Sequence, residues 1–388
     1  ADLCQKTLHN FRVKLLAGEK GYLVFRRLTD ELIAALDLKV DRQRLDSTHI
    51  LSNFALLNRL GLFCETIRVF LHALYKGHRD LHDRLPEGLL KRHGEQSWYR
   101  DARREEGPRR LKVVARDLYR LVEGFKTHRA ISQMEEFKLL ERLLAEQCEI
   151  RENAPGPRDD DDDRGDTPAP VEPKDPKEIK IKGNTLQTPH DQDVTYSGHK
   201  GKGYEVQVAE TCVKENPVQL ITEVALTPSS GSDQKATVPT IDALAKAGHK
   251  PKSLTADTGY SSATNAAEAA KRGVNLVAPA PAMAKPEPGK EYPAPEADCP
   301  KGRTKAGEWL TRREAQPGFK EEYAIRSGSE ATNSELKRVQ GLGKLRVRRE
   351  MRVKLAVYLK AAGCNLRRAL RYWTTIPGML PEAAASPA

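Results

Sequence analysis

The stretch 204–277 constrains the fold most, because its apolar spacing changes from the period of a strand to that of a helix and back. Residues 204–210 (YEVQVAE) alternate apolar and polar side chains, and residues 218–226 (VQLITEVAL) are rich in β-branched types. These two segments predict an antiparallel hairpin. The pattern then predicts, in order, a helix over 236–247, a strand over 253–256, a helix from Ser261 or Ser262 to Gly273, and a strand over 274–277. Strands and helices in this order indicate an α/β fold.

A separate β-favourable segment lies far upstream, at 42–50 (RQRLDSTHI), with Asp46 in its middle. Residues 52–151 carry apolar side chains at helical spacing and predict an all-helical block. Residues 152–195 are rich in Pro, Gly, Asp and Lys, and their apolar surface is too small to offset the entropy of ordering. We therefore expect a disordered acidic linker. Its run of Asp residues, 159–163, is not expected to be a metal site, because adjacent carboxylates on a flexible chain repel one another.

The C-terminal part of the chain is strongly basic. After a proline-rich loop over 278–302, helices are expected over 320–373, and residues 337–371 carry twelve Lys or Arg against one acid, Glu350. The whole chain has 65 basic and 54 acidic residues, a formal net charge of +11. This concentration of positive charge indicates a polyanionic partner such as nucleic acid, and the alternative is a solvated basic helix surface.

Composition excludes several classes of protein. The six cysteines are scattered, with no C-x-x-C pair, which argues against a disulfide scaffold or a structural zinc site. The sequence has no signal peptide, and no apolar run approaches the roughly 18–20 residues that span a bilayer. We therefore expect a cytoplasmic protein. Because the first residue is Ala1 rather than Met, a fragment or a processed form stays open.

Residues 323–337 (YAIRSGSEATNSELK) contain a spaced set of polar side chains. Tyr323, Arg326, Glu330 and Lys337 are separated by two, three and six residues. At about 100° per residue, offsets of 0, 3, 7 and 14 fall within about 60° of one another on a helix. The four side chains are therefore expected on one helix face, and the alternative is a surface helix with ordinary pairs such as Arg326–Glu330.

This spacing resembles the Y-(2)-R-(3)-E-(6)-K signature of bacterial insertion-sequence DDE transposases, which have a ribonuclease H-like catalytic domain. Residues 254–262 (LTADTGYSS) resemble the second-acid motif of that family, in which an Asp leaves a strand and a Gly-Tyr turn leads into a helix. Residues 196–212 (YSGHKGKGYEVQVAETC) resemble the second strand and the basic turn before it. The resemblance extends over about 42–372.

The resemblance implies a catalytic set of Asp46, Asp257 and Glu330 that holds two Mg²⁺ or Mn²⁺ ions. Asp46 is preferred as the first acid, and Glu210 is the alternative. The residues implied to contact DNA are Tyr323, Arg326, Lys337, Arg338, Lys344, Arg346, Arg348, Lys200 and Lys202. For Lys200 and Lys202, a flexible basic turn without a fixed ligand is an equal alternative.

The fold implied by the resemblance is a five-stranded mixed sheet with flanking helices, plus an all-helical insertion. The implied parts are a first strand within 1–51, the insertion at 52–151, the linker at 152–195, the catalytic core at 196–345 and basic helices at 346–388. The implied activity is cleavage and strand transfer of double-stranded DNA by a homodimer at the nucleoid. The short segment before Asp46 leaves a catalytically silent DNA-binding remnant open, and a nuclease without strand transfer is the third hypothesis.

Overall fold

The computed structural model describes residues 4–17, 20–94, 106–151, 170–175, 177–179, 183–281 and 284–375. Its helices are α1 Gln5–Ala17, α2 Lys20–Ala35, α3 Arg59–Gly77, α4 Arg79–His82, α5 Glu87–Gly94, α6 Gly107–Phe125, α7 Arg129–Ser132, α8 Glu135–Gln147, α9 Gln234–Lys246, α10 Ala263–Lys271, α11 Arg303–Glu314, α12 Phe319–Ala324, α13 Gly328–Arg338 and α14 Glu350–Thr375. Its strands are β1 Arg42–Ile50, β2 Cys148–Ile150, β3 Val171–Pro173, β4 Thr195–Ser197, β5 Gly201–Thr211, β6 Ile221–Pro228, β7 Ser253–Ala256 and β8 Asn275–Val277. The chain divides into two compact units, Ala1–Asn53 with Gly203–Ala388, and Phe54–Lys202.

The first unit is built on a mixed sheet with the strand order β6-β5-β1-β7-β8. Strand β5 runs antiparallel to β1 and to β6, whereas β1, β7 and β8 are parallel. Helices flank this sheet. The arrangement confirms the α/β class and the mixed sheet expected of a ribonuclease H-like fold.

The predicted order of elements in this unit is confirmed, and local signals explain most boundaries. Ser262 caps α10 by accepting a hydrogen bond from the backbone N–H of Asn265, and Gly273 follows the helix with a φ of +71°. Only glycine adopts such a left-handed conformation without strain. Strand β6 begins at Ile221, and Leu220 just before it exchanges hydrogen bonds with Thr211 at the end of β5.

Side chains of β1 alternate between two layers of the first unit. Leu45 packs with Ile241 of α9 and with Leu254, in a cluster that also covers α10. The even-numbered Asp46 faces the opposite layer, where it meets α13. The edge strand β6 is closed by Asn365 of α14, whose amide bonds to both the N–H and the carbonyl of Ile221 at 2.8 Å. This contact satisfies backbone groups that an open sheet edge would leave free.

Three helices of the first unit were not predicted from the sequence. Helices α1 and α2 precede β1, and α11 begins at Arg303, well before the expected return of helices near residue 320. Helix α11 has few apolar residues; Ala306, Trp309 and Leu310 pack against α10. With so narrow an apolar stripe, periodicity alone gives little signal. Among the described helices, none is both long enough and apolar enough to cross a membrane.

The second unit contains the predicted helices, α3 to α8, around one apolar core. Phe70 of α3 contacts Phe125 and Phe137 with ring centroids 5.8 and 5.9 Å apart. Residues 52–58 before α3 are not helical, although they fall within the block expected to be helical.

Part of the predicted linker is folded. Residues 171–173 form β3, which pairs antiparallel with β2. Val171 and Leu186 are buried in the helical core. These apolar contacts offset the entropic cost of ordering a segment whose composition is otherwise polar. The expectation of disorder was therefore wrong for these residues. The Asp run at 159–163 lies outside the described residues.

A buried ion pair lies within the second unit. Glu65 of α3 accepts hydrogen bonds from Arg68 at 2.5 and 2.8 Å and contacts His190 at 2.6 Å. Burial acts to raise the pKa of Glu65, but the bonds to His190 and Arg68 outweigh it and lower this pKa to about 2. The carboxylate form is therefore stabilised by folding.

We expect the stability of the second unit to fall as pH decreases from about 4.5, the ordinary pKa of Glu, to about 2. Glu65 binds a proton in the unfolded chain before it does so in the folded one, so its contribution is complete above this window and lost through it. Hydrogen–deuterium exchange of α3 at a series of pH values measures the effect. Glu65→Gln should weaken this pH dependence, and an unchanged profile in that variant would contradict the assignment.

Candidate active site

The pairing of β1 with β7 places two of the three predicted acids side by side. The parallel register pairs Leu45 with Ala256. Asp46 and Asp257 are the residues that follow these two, so they lie next to each other on neighbouring strands. Adjacent strands lie about 4.8 Å apart. Two of the acids implied by the resemblance are therefore adjacent in the sheet.

Asp257 is held by the turn that follows β7. Its Oδ1 accepts a hydrogen bond of 2.8 Å from the N–H of Gly259, in the short 3-10 turn Thr258–Tyr260. A Cβ on Gly259 would lie 2.9 Å from that oxygen, so the glycine permits the close approach. The buried Tyr260 hydroxyl donates to Gln207 of β5 and anchors the turn on the sheet. These contacts give a physical reason for the Asp-Thr-Gly-Tyr pattern.

The third acid, Glu330, comes from α13. The single regular helix expected for the spaced set is interrupted: Tyr323 lies on α12, Arg326 in the 3-10 turn Ile325–Ser327, and Glu330 and Lys337 on α13. That expectation was wrong at the turn.

Arg44 of β1 lies at this break and gives a physical reason for it. Its Nη1 donates to the carbonyl of Ile325 at 2.9 Å, which gives that carbonyl a partner outside the helix. The guanidinium also lies so close to Gly328 that a Cβ there would overlap it.

The three acids converge on the guanidinium of Arg326. Its Nη2 lies 3.5 Å from Oδ1 of Asp46 and 3.6 Å from Oδ2 of Asp257, and its Nη1 lies 3.8 Å from Oε1 of Glu330. Burial acts to lower the pKa of Arg326, but the surrounding acids outweigh it and raise the pKa. Arg326 is therefore the cation of this cluster.

The environment of the two aspartates is more enclosed than that of Glu330. The Asp46 side chain is 11% exposed and that of Asp257 34%, whereas Glu330 is 74% exposed. Burial raises the pKa of Asp46, with Arg326 opposing this shift and the charge of Asp257 adding to it. Tyr323 stacks on Phe319 at 5.7 Å, and its own pKa is raised by burial and by the same two aspartates.

The chemistry of this donor set suits a hard divalent cation, because all three ligands are carboxylate oxygens. Among the described residues, no group of three His, Cys, Asp or Glu side chains is close enough together to hold a metal ion. In the present arrangement the Arg326 guanidinium lies between the acids and supplies the positive charge. The three carboxylates therefore have the donor chemistry of a divalent-ion site, but in this arrangement they surround the guanidinium of Arg326.

Glu210, the alternative first acid, lies in a different network. Its Oε1 accepts from Arg44 at 2.8 Å, and its Oε2 accepts from Thr332 at 2.7 Å and Arg368 at 3.1 Å. The side chain is 1% exposed. Both oxygens are thus occupied by groups of the protein, and the network ties β5 to β1, α13 and α14.

Asn333 of α13 was not singled out from the sequence, although it directly contacts Asp46. Its Nδ2 donates to Oδ2 of Asp46 at 3.1 Å. A usable sequence signal was its spacing, since it lies three residues after Glu330 and therefore on the same side of the helix.

The basic stretch after α13 contains an extended segment, residues 343–346, that lies along the end of β1. Leu51 donates its N–H to the carbonyl of Gly343 at 3.0 Å, and Leu345 donates to the carbonyl of Leu51 at 2.8 Å. Leu345 is buried while Lys344 and Arg346 are exposed, as strand-like alternation requires. Lys337 and Arg338 are exposed at the end of α13, and Arg348 donates from Nε to the carbonyl of Asn53.

Lys200 and Lys202 lie in the second unit. Lys200 is exposed, whereas Lys202 is partly buried and donates from Nζ to the carbonyl of Leu57 at 2.8 Å. Burial lowers the pKa of Lys202. The ammonium of Lys202 therefore has a fixed partner within the chain.

Comparison with known proteins gives one match. Residues 175–366 match the family model described as the transposase DDE domain. The matched range includes Asp257, Arg326 and Glu330, and Asp46 lies before it. No curated protein and no solved structure matches the chain.

We expect Glu210 and Glu330 to differ sharply in their effect on stability. Glu210→Ala removes the carboxylate that pairs with both Arg44 and Arg368 and leaves Arg368 only its pair with Glu335, which should cost about 3–5 kcal/mol. The exposed Glu330→Ala should change stability by no more than about 0.5 kcal/mol. Hydrogen–deuterium exchange of β5 in increasing urea measures both. Equal stability of the two variants would contradict the structural role of Glu210.

Proposed function

We propose that this chain, which belongs to the DDE transposase family, cleaves phosphodiester bonds at the ends of an insertion sequence and joins the freed 3′-hydroxyl to target DNA. The observation that supports this proposal is the convergence of Asp46, Asp257 and Glu330 on one cationic position. The acids come from β1, from the end of β7 and from α13. Three separate segments of the fold therefore contribute to one cluster.

The same three carboxylates would hold the divalent ions. Two bound Mg²⁺ or Mn²⁺ ions supply activation of a water or 3′-hydroxyl and neutralise charge on the scissile phosphate. The buried Asp46 and the turn-bound Asp257 present fixed oxygens, and the exposed Glu330 is free to adjust to them.

Arg326 has two roles in this proposal. In the chain without DNA it pairs with the acids, and on DNA binding it turns to a phosphate oxygen. A guanidinium suits this exchange because its planar fork of donors fits carboxylates and phosphates alike. The buried Nε of Arg326 makes no hydrogen bond in the described part of the chain, so turning toward a phosphate would give this donor a partner. Tyr323 and Lys337 would contact the sugar-phosphate backbone of the DNA strand that carries this phosphate.

The proposed organisation keeps the sequence-based division, with a catalytic core formed by 1–51 and 196–345, a helical insertion at 52–151 and basic helices at 346–388. The protein would act as a homodimer on two transposon ends and would be found at the nucleoid. Lys200 and Lys202 would contribute to DNA binding from the second unit, with Lys202 first leaving its bond to Leu57.

We expect cleavage of DNA that carries the element's ends to require Mg²⁺ or Mn²⁺. Asp46→Ala, Asp257→Ala and Glu330→Ala should each lower the cleavage rate by more than about 100-fold, because each removes a metal ligand. Glu321→Ala, which removes an exposed acid of α12, is the matched control. The measurement is product formation on labelled DNA at fixed metal concentration.

Each alternative has its own result in that assay. Wild-type rates in all three variants would contradict the metal site. Cleavage without joined product would indicate a nuclease, and DNA binding without cleavage by the wild type would indicate a silent remnant. Normal cleavage by Asp46→Ala alone would remove Asp46 from the catalytic set.

Lys344 and Arg346 should contribute to DNA affinity independently of sequence. Replacing either by Ala should reduce the slope of log K against log salt by about 1, because one phosphate contact and its released counterion are lost. Arg27→Ala, at an exposed arginine of α2, is the control. Titration of duplex DNA at several salt concentrations measures the slope, and identical slopes for Arg346→Ala and Arg27→Ala would rule out this surface.

A further inference from the structure

We propose that Asn333 is a positioning residue that orients the carboxylate of Asp46 toward the metal-binding position. This inference rests on the proposed function and goes beyond its three acids. Asn333 lies on α13, and its amide reaches Asp46 in the middle of β1. Glu330 and Asn333 are one helical turn apart, so the same helix supplies an acid and the amide that orients a second acid.

The orientation of the Asn333 amide is determined by its partners. Nδ2 donates to Oδ2 of Asp46 at 3.1 Å and to the carbonyl of Ser47 at 3.3 Å. Both partners are acceptors, so the opposite orientation would place Oδ1 against two oxygens and lose both bonds. In the observed orientation Oδ1 is buried and has no hydrogen-bond partner among the described residues.

The two carboxylate oxygens of Asp46 have different partners. Oδ2 is held by Asn333, while Oδ1 lies 3.5 Å from the guanidinium of Arg326. Asp257 shows the same division: Oδ1 accepts from the N–H of Gly259, and Oδ2 lies 3.6 Å from Arg326. In both aspartates, therefore, a protein donor holds one oxygen and the other faces the shared cation.

The two anchors differ in kind. The anchor of Asp257 is a backbone N–H, which only proline at position 259 would remove, whereas Asn333 holds Asp46 through a side chain, beside contacts with the backbone of Ser47 and the side chain of Ser329. The terminal torsion of an aspartate has a broad energy profile, so without its donor the carboxylate can rotate. The Asp46 side chain is only 11% exposed, and water has little access to take the place of the amide. Loss of Asn333 should therefore misdirect Asp46 without removing it.

The test measures metal binding directly in the full chain. Mn²⁺ affinity is determined by calorimetry without DNA for the wild type, Asn333→Ala and Asn333→Leu. Leu branches at Cγ as Asn does but is larger and has no donor, so Asn333→Leu removes the hydrogen bonds without leaving the cavity that Asn333→Ala leaves. Ser334→Ala, at the next position of α13, is the matched control.

We expect both Asn333 variants to bind Mn²⁺ about 10–100-fold more weakly, the range seen when partners of metal ligands are lost. Their affinity for duplex DNA should equal that of the wild type, and higher Mn²⁺ concentration should restore part of the cleavage rate. A residue needed only for folding would not produce that restoration.

Two results would overturn the inference, and they differ in what they mean for the proposed function. Normal Mn²⁺ affinity in both Asn333 variants, with reduced affinity in Asp257→Ala, overturns the role of Asn333 alone. Absence of Mn²⁺ binding by the wild-type chain overturns the proposed metal site and the inference with it.

Discussion

The parallel pairing of β1 with β7 is the constraint on which the candidate site depends. It aligns Leu45 with Ala256 and thereby brings Asp46 beside Asp257, although the two are 211 positions apart in the chain. Helix α13 then packs over β1 and adds Glu330. The ladder of backbone hydrogen bonds determines the spacing of the first two acids, so their proximity does not rely on flexible side chains.

A second, buried network of hydrogen bonds holds the elements that carry these acids. Glu210 links Arg44, Thr332 and Arg368, and Arg44 also bonds the carbonyl of Ile325 at the turn that carries Arg326. Buried charges of this kind are costly unless every partner is present. The acid that resembled a catalytic residue by its place at a strand end thus belongs to the framework of the site.

The sequence predicted what depends on local pattern. Local sequence predicted the hairpin, the strand and turn around Asp257, and the spaced set with Glu330, because each is determined within a few residues. Arg44 was missed because its partner Ile325 lies 281 positions away, and no local pattern reports such a contact. The spacing of Asn333 from Glu330 placed it on the right side of α13, but not its contact with Asp46, 287 positions away. The family match likewise begins after Asp46, so this acid is placed in the cluster by the sheet alone.

The position of Arg326 among three carboxylates has a consequence for how such a site assembles. Bringing three negative charges together is unfavourable, and a chain that had to wait for metal ions would hold its acids apart until they arrived. Here an internal counter-ion offsets that repulsion during folding. Binding of divalent ions, as proposed above, would then exchange one positive charge for others.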